Sequence, residues 1–244
     1  MRLIVIGSSS AGNAYALDAG DEILLIEAGV RMPEVKKMID FRLGDVKGCL
    51  VTHAHGDHAR YAGEYARHGV TVYCNEDVAE KKKLPYGRHV VVKTGKTMSI
   101  GRFRVAPFEL HHDVPCCGYL VRHEDMGTLC FITDTYKMGM FIKDIDHWLI
   151  EANYDDRILK ANVEDGKIDR AQANRLMLSH LSLDNTIQYL KMCEADRSKT
   201  ITLCHLSERN SYPQMFAEKV AGVFGVPTQV AGKGIVVELN KEVI

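Results

Sequence analysis

Thr52-His53-Ala54-His55-Gly56-Asp57-His58 decides the reading of this chain. It follows Cys49-Leu50-Val51, an apolar run that reads as a buried strand. Alternate residues of an extended strand share a face, so His53 and His55 are expected to point the same way. Gly56 lets the chain turn sharply as it leaves the strand. Asp57 and His58 then return to the same space from the start of a helix. Imidazoles bind zinc and similar ions, and a carboxylate completes such a site. A surface histidine cluster or a capped helix start could use the same residue types. The spacing, the strand before it and further His and Asp residues downstream favour a two-metal hydrolytic centre.

The 244 residues suit one large α/β unit, expected to span residues 1–244 as a single domain. Hydrophobic residues make up 46% of the chain, enough for a sizeable core, and the net charge of -1 gives no global pull toward nucleic acid. A nucleic-acid substrate would therefore need a local basic patch. Met1–Gly7 reads as a first strand rather than a signal peptide, and no apolar run approaches a membrane span. Seven scattered cysteines argue against a disulfide framework and for a reducing cytoplasm. The adjacent Cys116 and Cys117 read as small core residues, since no partner pair accompanies them.

The first half is rich in short strands, expected at 3–7, 14–18, 22–27, 48–52, 71–74, 90–92, 102–110, 118–122, 129–133 and 148–151. A helix over 57–68 should stop at Gly69, and another should begin near Asn75. Helices over 169–180 and 184–195 and after Ser211 alternate with strands 201–204, 228–230 and 235–239. Strands flanked on both sides by helices imply two stacked sheets with an outer helical layer. His180-Leu181-Ser182 is echoed by His205-Leu206-Ser207, each an apolar run ending in His before a helix that Ser (or Asp184 in the first case) could cap.

Further ligands lie at other strand ends. Strand 102–110 runs into His111-His112-Asp113, either histidine of which could supply a third imidazole. Asp134 ends a buried apolar strand, where a bare charge is costly, so it should be paired or bind metal. His205 follows Ile201–Cys204 in the same way. Glu151 ends Trp148-Leu149-Ile150. Beside His180 it would stabilise an imidazolium able to act as a general acid, although a structural ion pair would use the same residues.

These residues resemble the metallo-β-lactamase superfamily, with His53, His55, Asp57 and His58 as its His-x-His-x-Asp-His signature. The resemblance extends over nearly the full length and is closest to the YycJ/WalJ-like branch. Gly7–Asn13, Leu25–Gly29, Ile132–Thr135, Glu151–Asp155 and the two His-Leu-Ser elements carry it. It implies an αββα sandwich and selects His112 over His111. One metal would be held by His53, His55 and His112, the other by Asp57, His58 and His205, with Asp134 between them. Such a pair can activate water and stabilise attacking and leaving oxygens. Members of the branch are described as 5′-acting DNA exonucleases. Glu151 and His180 also look like the leaving-group dyad of tRNase Z, which favours phosphodiester chemistry. Ser9, Asn13 and Asn153, inside the same stretches, are the candidate substrate-binding residues. Two departures stand out: Glu27 replaces the usual Asp, and no inserted tRNA-gripping arm is present.

The expected function is a metal-dependent phosphodiesterase, a 5′-exonuclease on DNA or related nucleic acid, in which Asp57 orients the attacking hydroxide. The alternative is a cyclic-nucleotide phosphodiesterase, such as a phage counter-defence enzyme. Behind these stand a thioester or lactam hydrolase and a non-catalytic metal-binding module. Two divalent ions are expected, zinc first and manganese second. The partner is nucleic acid or a small nucleotide, with no membrane; a homodimer follows only by analogy with relatives. Lys81-Lys82-Lys83 with Arg88 is the clearest basic cluster, although such a run is commonly a solvated helix face.

Overall fold

The computed structural model describes residues 1–241. Its first half comprises β1 (Arg2–Gly7), β2 (Ala14–Asp18), β3 (Ile23–Ile26), α1 (Met32–Met38), β4 (Val46–Leu50), α2 (Gly56–Ala59), α3 (Ala62–Arg67), β5 (Val72–Cys74), α4 (Glu76–Lys81) and β6 (His89–Val91). The second comprises β7 (Met98–Ile100), β8 (Phe103–Leu110), β9 (Cys116–His123), β10 (Gly127–Ile132), β11 (His147–Glu151), α5 (Asp156–Glu164), α6 (Arg170–Met177), α7 (Leu183–Met192), β12 (Thr200–Cys204), α8 (Pro213–Phe224), β13 (Thr228–Val230) and β14 (Val236–Glu238). The strands form two seven-stranded mixed sheets, ordered β14-β1-β2-β3-β4-β5-β6 and β13-β12-β11-β10-β9-β8-β7.

Alternation explains the stacking. In β1, Leu3 and Val5 pack into the layer between the sheets, while Ile4 and Ile6 pack on the other side beneath helical residues Met32, Val35 and Tyr65. Both faces are covered, so the strand reads as continuously apolar rather than as an apolar/polar alternation. Tyr15 from the first sheet meets Phe131 from the second edge-on, with ring centroids 5.8 Å apart. The second sheet buries Trp148, Ile150 and Leu203 against Leu190 of α7 and Phe216 and Val220 of α8. Helices therefore cover both outer faces, giving the expected αββα sandwich.

Each sheet pairs its early strands antiparallel and its later ones parallel. β3-β4-β5-β6 and β10-β11-β12-β13 are the parallel sets. β8 is antiparallel to β9 and β9 to β10, so β8 runs in the direction of β10. Carboxyl ends of parallel strands are where an open α/β sheet presents a ligand crevice.

Several elements differ from the sequence expectation. The helix over 57–68 is broken: the Tyr61 amide donates to the Ala28 carbonyl at 2.9 Å, which removes a helical bond and separates α2 from α3. The strand before the signature ends at Leu50, so His53 and His55 lie on an extended loop beyond it. Helices α1 and α5 and strand β7 were not anticipated. Their signals were Pro33 in the first turn of α1 and Asp155, whose side chain caps α5 by accepting from the amides of Arg157 and Ile158. Ser182 caps α7 by accepting from Asn185 N, but Ser207 begins a turn, not a helix, and α8 starts at Pro213 after Tyr212. All seven cysteines are buried and unpaired, Cys116 and Cys117 among them. Among the described residues no helix is long and apolar enough to cross a membrane.

His147 opens β11 in a buried position, its Nδ1 2.8 Å from Thr200 Oγ1 and its Nε2 3.2 Å from the Met126 carbonyl. Burial lowers its pKa to about 4. The unfolded chain therefore binds this proton first, and the stabilisation is complete above the ordinary histidine value. It is lost as pH falls from roughly 6.5 toward 4, on the order of 3 kcal/mol. Urea unfolding of metal-free protein across that range should show a steeper loss in the wild type than in His147→Gln. Parallel slopes would remove His147 from the acid response.

Candidate metal centre

The site is assembled at strand ends, and three of its residues adopt left-handed backbone that side chains disfavour. Glu27 follows β3 at φ 67°, Asp134 follows β10 at φ 42°, and His205 follows β12 at φ 53°. Such positions cost about 1–3 kcal/mol each and persist only where surrounding contacts impose them. Here the contacts are visible. The Glu27 amide donates to the Leu50 carbonyl and the Ala28 amide to the His58 carbonyl, each at 2.7 Å. The Asn13 amide donates to the Asp57 carbonyl at 2.7 Å. A Cβ on Gly29 would lie 1.7 Å from that carbonyl oxygen, so only glycine admits the signature loop there.

The seven residues read as ligands form two clusters, and Asp134, Glu151, His180 and His205 form a third that overlaps them. His53, His55, His112 and Asp134 bring one nitrogen or oxygen each to within 4.8 Å of the others, and so do Asp57, His58, Asp134 and His205. Asp134 belongs to both. Its carboxylate lies 3.2 Å from His58 Nε2, 3.5 Å from His205 Nδ1 and 3.7 Å from both His53 Nε2 and His112 Nε2. Asp57 Oδ2 lies 3.1 Å from His205 Nε2 and 3.2 Å from His58 Nε2.

Nitrogen meets nitrogen in ways that hydrogen bonding alone does not satisfy. His58 Nε2 faces His205 Nε2 at 3.4 Å, and His112 Nε2 faces His55 Nδ1 at 3.1 Å. His53 Nε2 is buried with no hydrogen-bond partner. A buried acceptor left unpaired is costly, and a cation at the centre of each cluster would satisfy it. The donor set of imidazoles and carboxylates fits divalent zinc or manganese.

The two clusters differ electrostatically. Burial, with the charge of neighbouring His58, holds His53 well below the usual histidine range, and burial also lowers His112. Both stand as neutral imidazoles. Burial opposes charge at His205 too, but Asp134 and the bonds to Asp57 and Glu151 overcome it and push the pKa to about 10. His58 is raised by Asp134 and Glu27 against the same penalty. Ligation through His58 and His205 therefore requires loss of those protons.

Other side chains brace the ligands. Thr52 Oγ1 donates to Glu27 Oε1 at 2.5 Å and lies 2.9 Å from His53 Nδ1, while Glu27 Oε1 is 3.3 Å from His58 Nδ1. The longer carboxylate in place of Asp thus reaches both halves of the signature. Glu151 Oε1 is 2.6 Å from His180 Nδ1 and 3.2 Å from His205 Nδ1, and its other oxygen accepts from the amides of Thr135 and Leu181. Burial raises the His180 desolvation cost, yet Glu151 and Asp134 lift its pKa above the ordinary value. With Nδ1 engaged, Nε2 remains for the cavity that His180 lines.

That cavity, about 470 Å³, is lined by His55, Asp57, His112, Asp134, His180 and His205 among others. His111 is not part of it: its amide and carbonyl engage Thr135, and its ring faces Gly139 and Tyr136. Of the candidate substrate residues, Asn13 Nδ2 is 3.1 Å from His58 Nε2, and Asn153 Nδ2 donates to the His205 carbonyl at 2.7 Å. Both therefore hold ligands. Ser9 does not line the cavity; its hydroxyl accepts from the Ala11 amide and it borders a separate hollow with Arg31 and Lys233. Ser8 and Ser10 were missed instead. Ser8 Oγ accepts from the His205 amide at 3.0 Å, and Ser10 lines the cavity. Asp113, 3.2 Å from His55 Nε2, and the α6 residues Gln172, Arg175 and Leu176 were also not singled out. None of Lys81, Lys82, Lys83 or Arg88 lines it, and Lys81 pairs with Asp77 on its own helix.

Comparison with known proteins agrees with this architecture. A family described as the beta-lactamase superfamily domain matches residues 20–203, and the chain belongs to it. It is 26% identical over 228 residues to the exodeoxyribonuclease WalJ of Streptococcus pneumoniae, covering 86% of this chain and 83% of that one. It is 26% identical over 234 residues to the exodeoxyribonuclease YycJ of Bacillus anthracis, covering 90% and 87%. Among solved structures it superposes on the metallo-beta-lactamase fold protein YhfI from Bacillus subtilis with a TM-score of 0.77 at 17% identity, covering 97% and 99%. It superposes on the short form of human tRNase Z with a TM-score of 0.64 at 17% identity, covering 98% and 99%. The chain is a metal-dependent hydrolase of this fold.

Removal of the Glu27 brace tests the support of the ligands. Glu27→Ala should lower divalent-metal affinity roughly 10–100-fold, as loss of an outer-shell carboxylate does elsewhere. Titration of metal-free protein against a chromophoric chelator measures it, with circular dichroism as the check on folding. Unchanged affinity in a folded variant would show that Thr52 and His58 are held without it.

Proposed function

We propose that this chain is a dinuclear metal-dependent phosphodiesterase that removes nucleotides from the 5′ end of DNA. The observation that carries the reading is the position of His180, fixed by Glu151 at 2.6 Å and lining the same cavity as both ligand clusters. Thioester hydrolysis, which expels a stable thiolate, gives such a proton donor no clear task. Departure of a sugar alkoxide requires one. The two exodeoxyribonuclease relatives support the polymer as substrate.

In this reading His53, His55 and His112 hold one ion, Asp57, His58 and His205 the other, and Asp134 serves both. Zinc is the metal of first choice and manganese the second. The ions supply Lewis-acid activation of water and neutralisation of phosphate charge. The rest is done by side chains. Asp57, whose carboxylate faces the cavity beside His205, orients the attacking water. Imidazolium His180 gives its Nε2 proton to the leaving oxygen, and Glu151 keeps that imidazole charged and in register. The buried, unpaired cysteines suit a reducing cytoplasm. A second reading, opening of cyclic nucleotides, is favoured by the net charge of -1 and by the absence of the lysine run from the cavity wall.

Incubation of zinc- or manganese-loaded protein with 5′-phosphorylated single-stranded DNA and with cyclic mononucleotides separates the two. Mononucleotide release from DNA is expected; ring opening with intact DNA would transfer the function to small nucleotides. Asp57→Ala should abolish turnover. His180→Ala should slow it roughly 10²–10⁴-fold with metal content retained. Because Glu151 and Asp134 raise the His180 pKa above the ordinary histidine value, wild-type kcat should fall only as pH rises through that raised value. The same limb should vanish in His180→Ala. Loss of metal from His180→Ala would make His180 a ligand and refute its role as acid.

A further inference from the structure

One histidine beside the clusters takes no part in them. His111, next to His112, is half-buried, and neither of its ring nitrogens has a hydrogen-bond partner among the described residues. Its ring centroid lies 6.2 Å from that of Tyr136, with the planes at 50°. Tyr136 comes two residues after Asp134 and is 40% exposed. Both line a hollow of about 580 Å³. This hollow shares His112 and Asp113 with the metal cavity, so those two residues form the wall between them, and neither His180 nor His205 lines it. Its volume lies within the roughly 300–1,000 Å³ typical of small-molecule sites.

The two rings are fixed relative to the metal centre. The Tyr136 amide donates to the His111 carbonyl at 3.1 Å, and Thr135 Oγ1 accepts from the His111 amide at 3.1 Å. His111 and Lys137 also form an antiparallel bridge. The segments that carry His112 and Asp134 are thus joined at this pair of rings. A Cβ on Gly139 would lie 3.0 Å from His111 Nε2, so glycine gives that ring its room. The charge of the hollow selects what can enter. Glu109 and Asp113 line it and repel phosphate. An uncharged base instead meets an aromatic face and the free imidazole nitrogens. Lys137, the residue after Tyr136, is exposed and suits a phosphate backbone running outside.

The geometry of the displacement sends the retained strand sideways. Attacking and leaving oxygens stand in line through phosphorus, which leaves the 5′ oxygen of the retained strand equatorial. The strand therefore departs to one side of the line that ends at His180. The hollow behind His112 and Asp113 borders the metal cavity without reaching His180, as that departure requires. We propose that this hollow takes the first base of the retained strand, stacked on Tyr136 with His111 at its edge. This deepens the exonuclease reading above and rests on it. Every base has a π-face, so Tyr136 holds the strand without selecting its sequence.

The test follows the first cut of 5′-phosphorylated single-stranded oligonucleotides by metal-loaded protein, with the second residue either intact or abasic. The wild type should cut the abasic strand with kcat/KM roughly 5–150-fold lower, the span of one base–aromatic stack. Tyr136→Leu keeps apolar bulk but loses the π-face. It should cut the intact strand more slowly by the same factor and the abasic strand at the wild-type rate. Tyr136→Ala should behave in the same way, and Tyr136→Phe should match the wild type on both strands. Bound metal, measured in each variant, checks that the centre is intact. Wild-type indifference to the missing base, or a base effect of undiminished size in Tyr136→Leu and Tyr136→Ala, would overturn the assignment while leaving the exonuclease reading intact. No cleavage of the intact strand by metal-loaded wild type would refute that reading, and the assignment with it.

Discussion

A single carboxylate organises this molecule. Asp134 is buried, its backbone is held at φ 42°, and five histidines (His53, His58, His112, His180 and His205) bring a ring nitrogen within 4 Å of it. A lone buried carboxylate would take up a proton. This one lies well below the usual carboxylate range, because His205 and His58 outweigh the burial that opposes its charge. The first sheet supplies His53 and His58, and the second supplies Asp134, His112 and His205. The charge at the centre thus makes sense only when both sheets are docked. The packing of Tyr15 on Phe131 and the electrostatics of the site enforce the same relative placement.

Topology explains why so many polar groups can be concentrated there. Both sheets end their parallel sets at one edge of the sandwich, and β8 runs with β10, so Thr52, Asp134, Glu151, His205 and His112 all emerge on that edge. The helices on the outer faces leave it open. The cost appears as left-handed backbone at Glu27, Asp134 and His205, where an ordinary turn residue would have relieved the strain and misdirected the side chain. Braces recur in the same form: Glu27 serves His58 and Thr52, and Glu151 serves His180 and His205. Each is a buried carboxylate that also accepts backbone amides.

Much of this was legible in the residues. Apolar runs ending in His, Asp or Glu mark strands whose last residue must leave the core, and the family resemblance ordered them. The structure brings the seven residues read as ligands together in two clusters sharing Asp134. What the sequence concealed is of two kinds. Local rules were overridden by a tertiary bond where Tyr61 abandons its helix for Ala28. Orientation was invisible where neighbouring small residues do different jobs: Ser8 bonds His205, Ser10 lines the cavity, and Ser9 turns away from both. Helix α6 was expected over 169–180, but nothing in it indicated that Gln172, Arg175 and Leu176 would wall a cavity with residues from distant segments.

The position of β14 has a consequence for assembly. It pairs antiparallel with β1, Leu3 opposite Val237, although more than two hundred positions separate them. Until the ribosome has delivered that last strand, β1 presents an open hydrogen-bonding edge beside β2, and its apolar side chains have no completed second sheet to cover them. Contacts of this sequence separation are slow to close. The nascent first half is therefore a template for strand addition by another chain during synthesis. The interval before β14 is made, more than the finished fold, is when this strand edge is most open to aggregation.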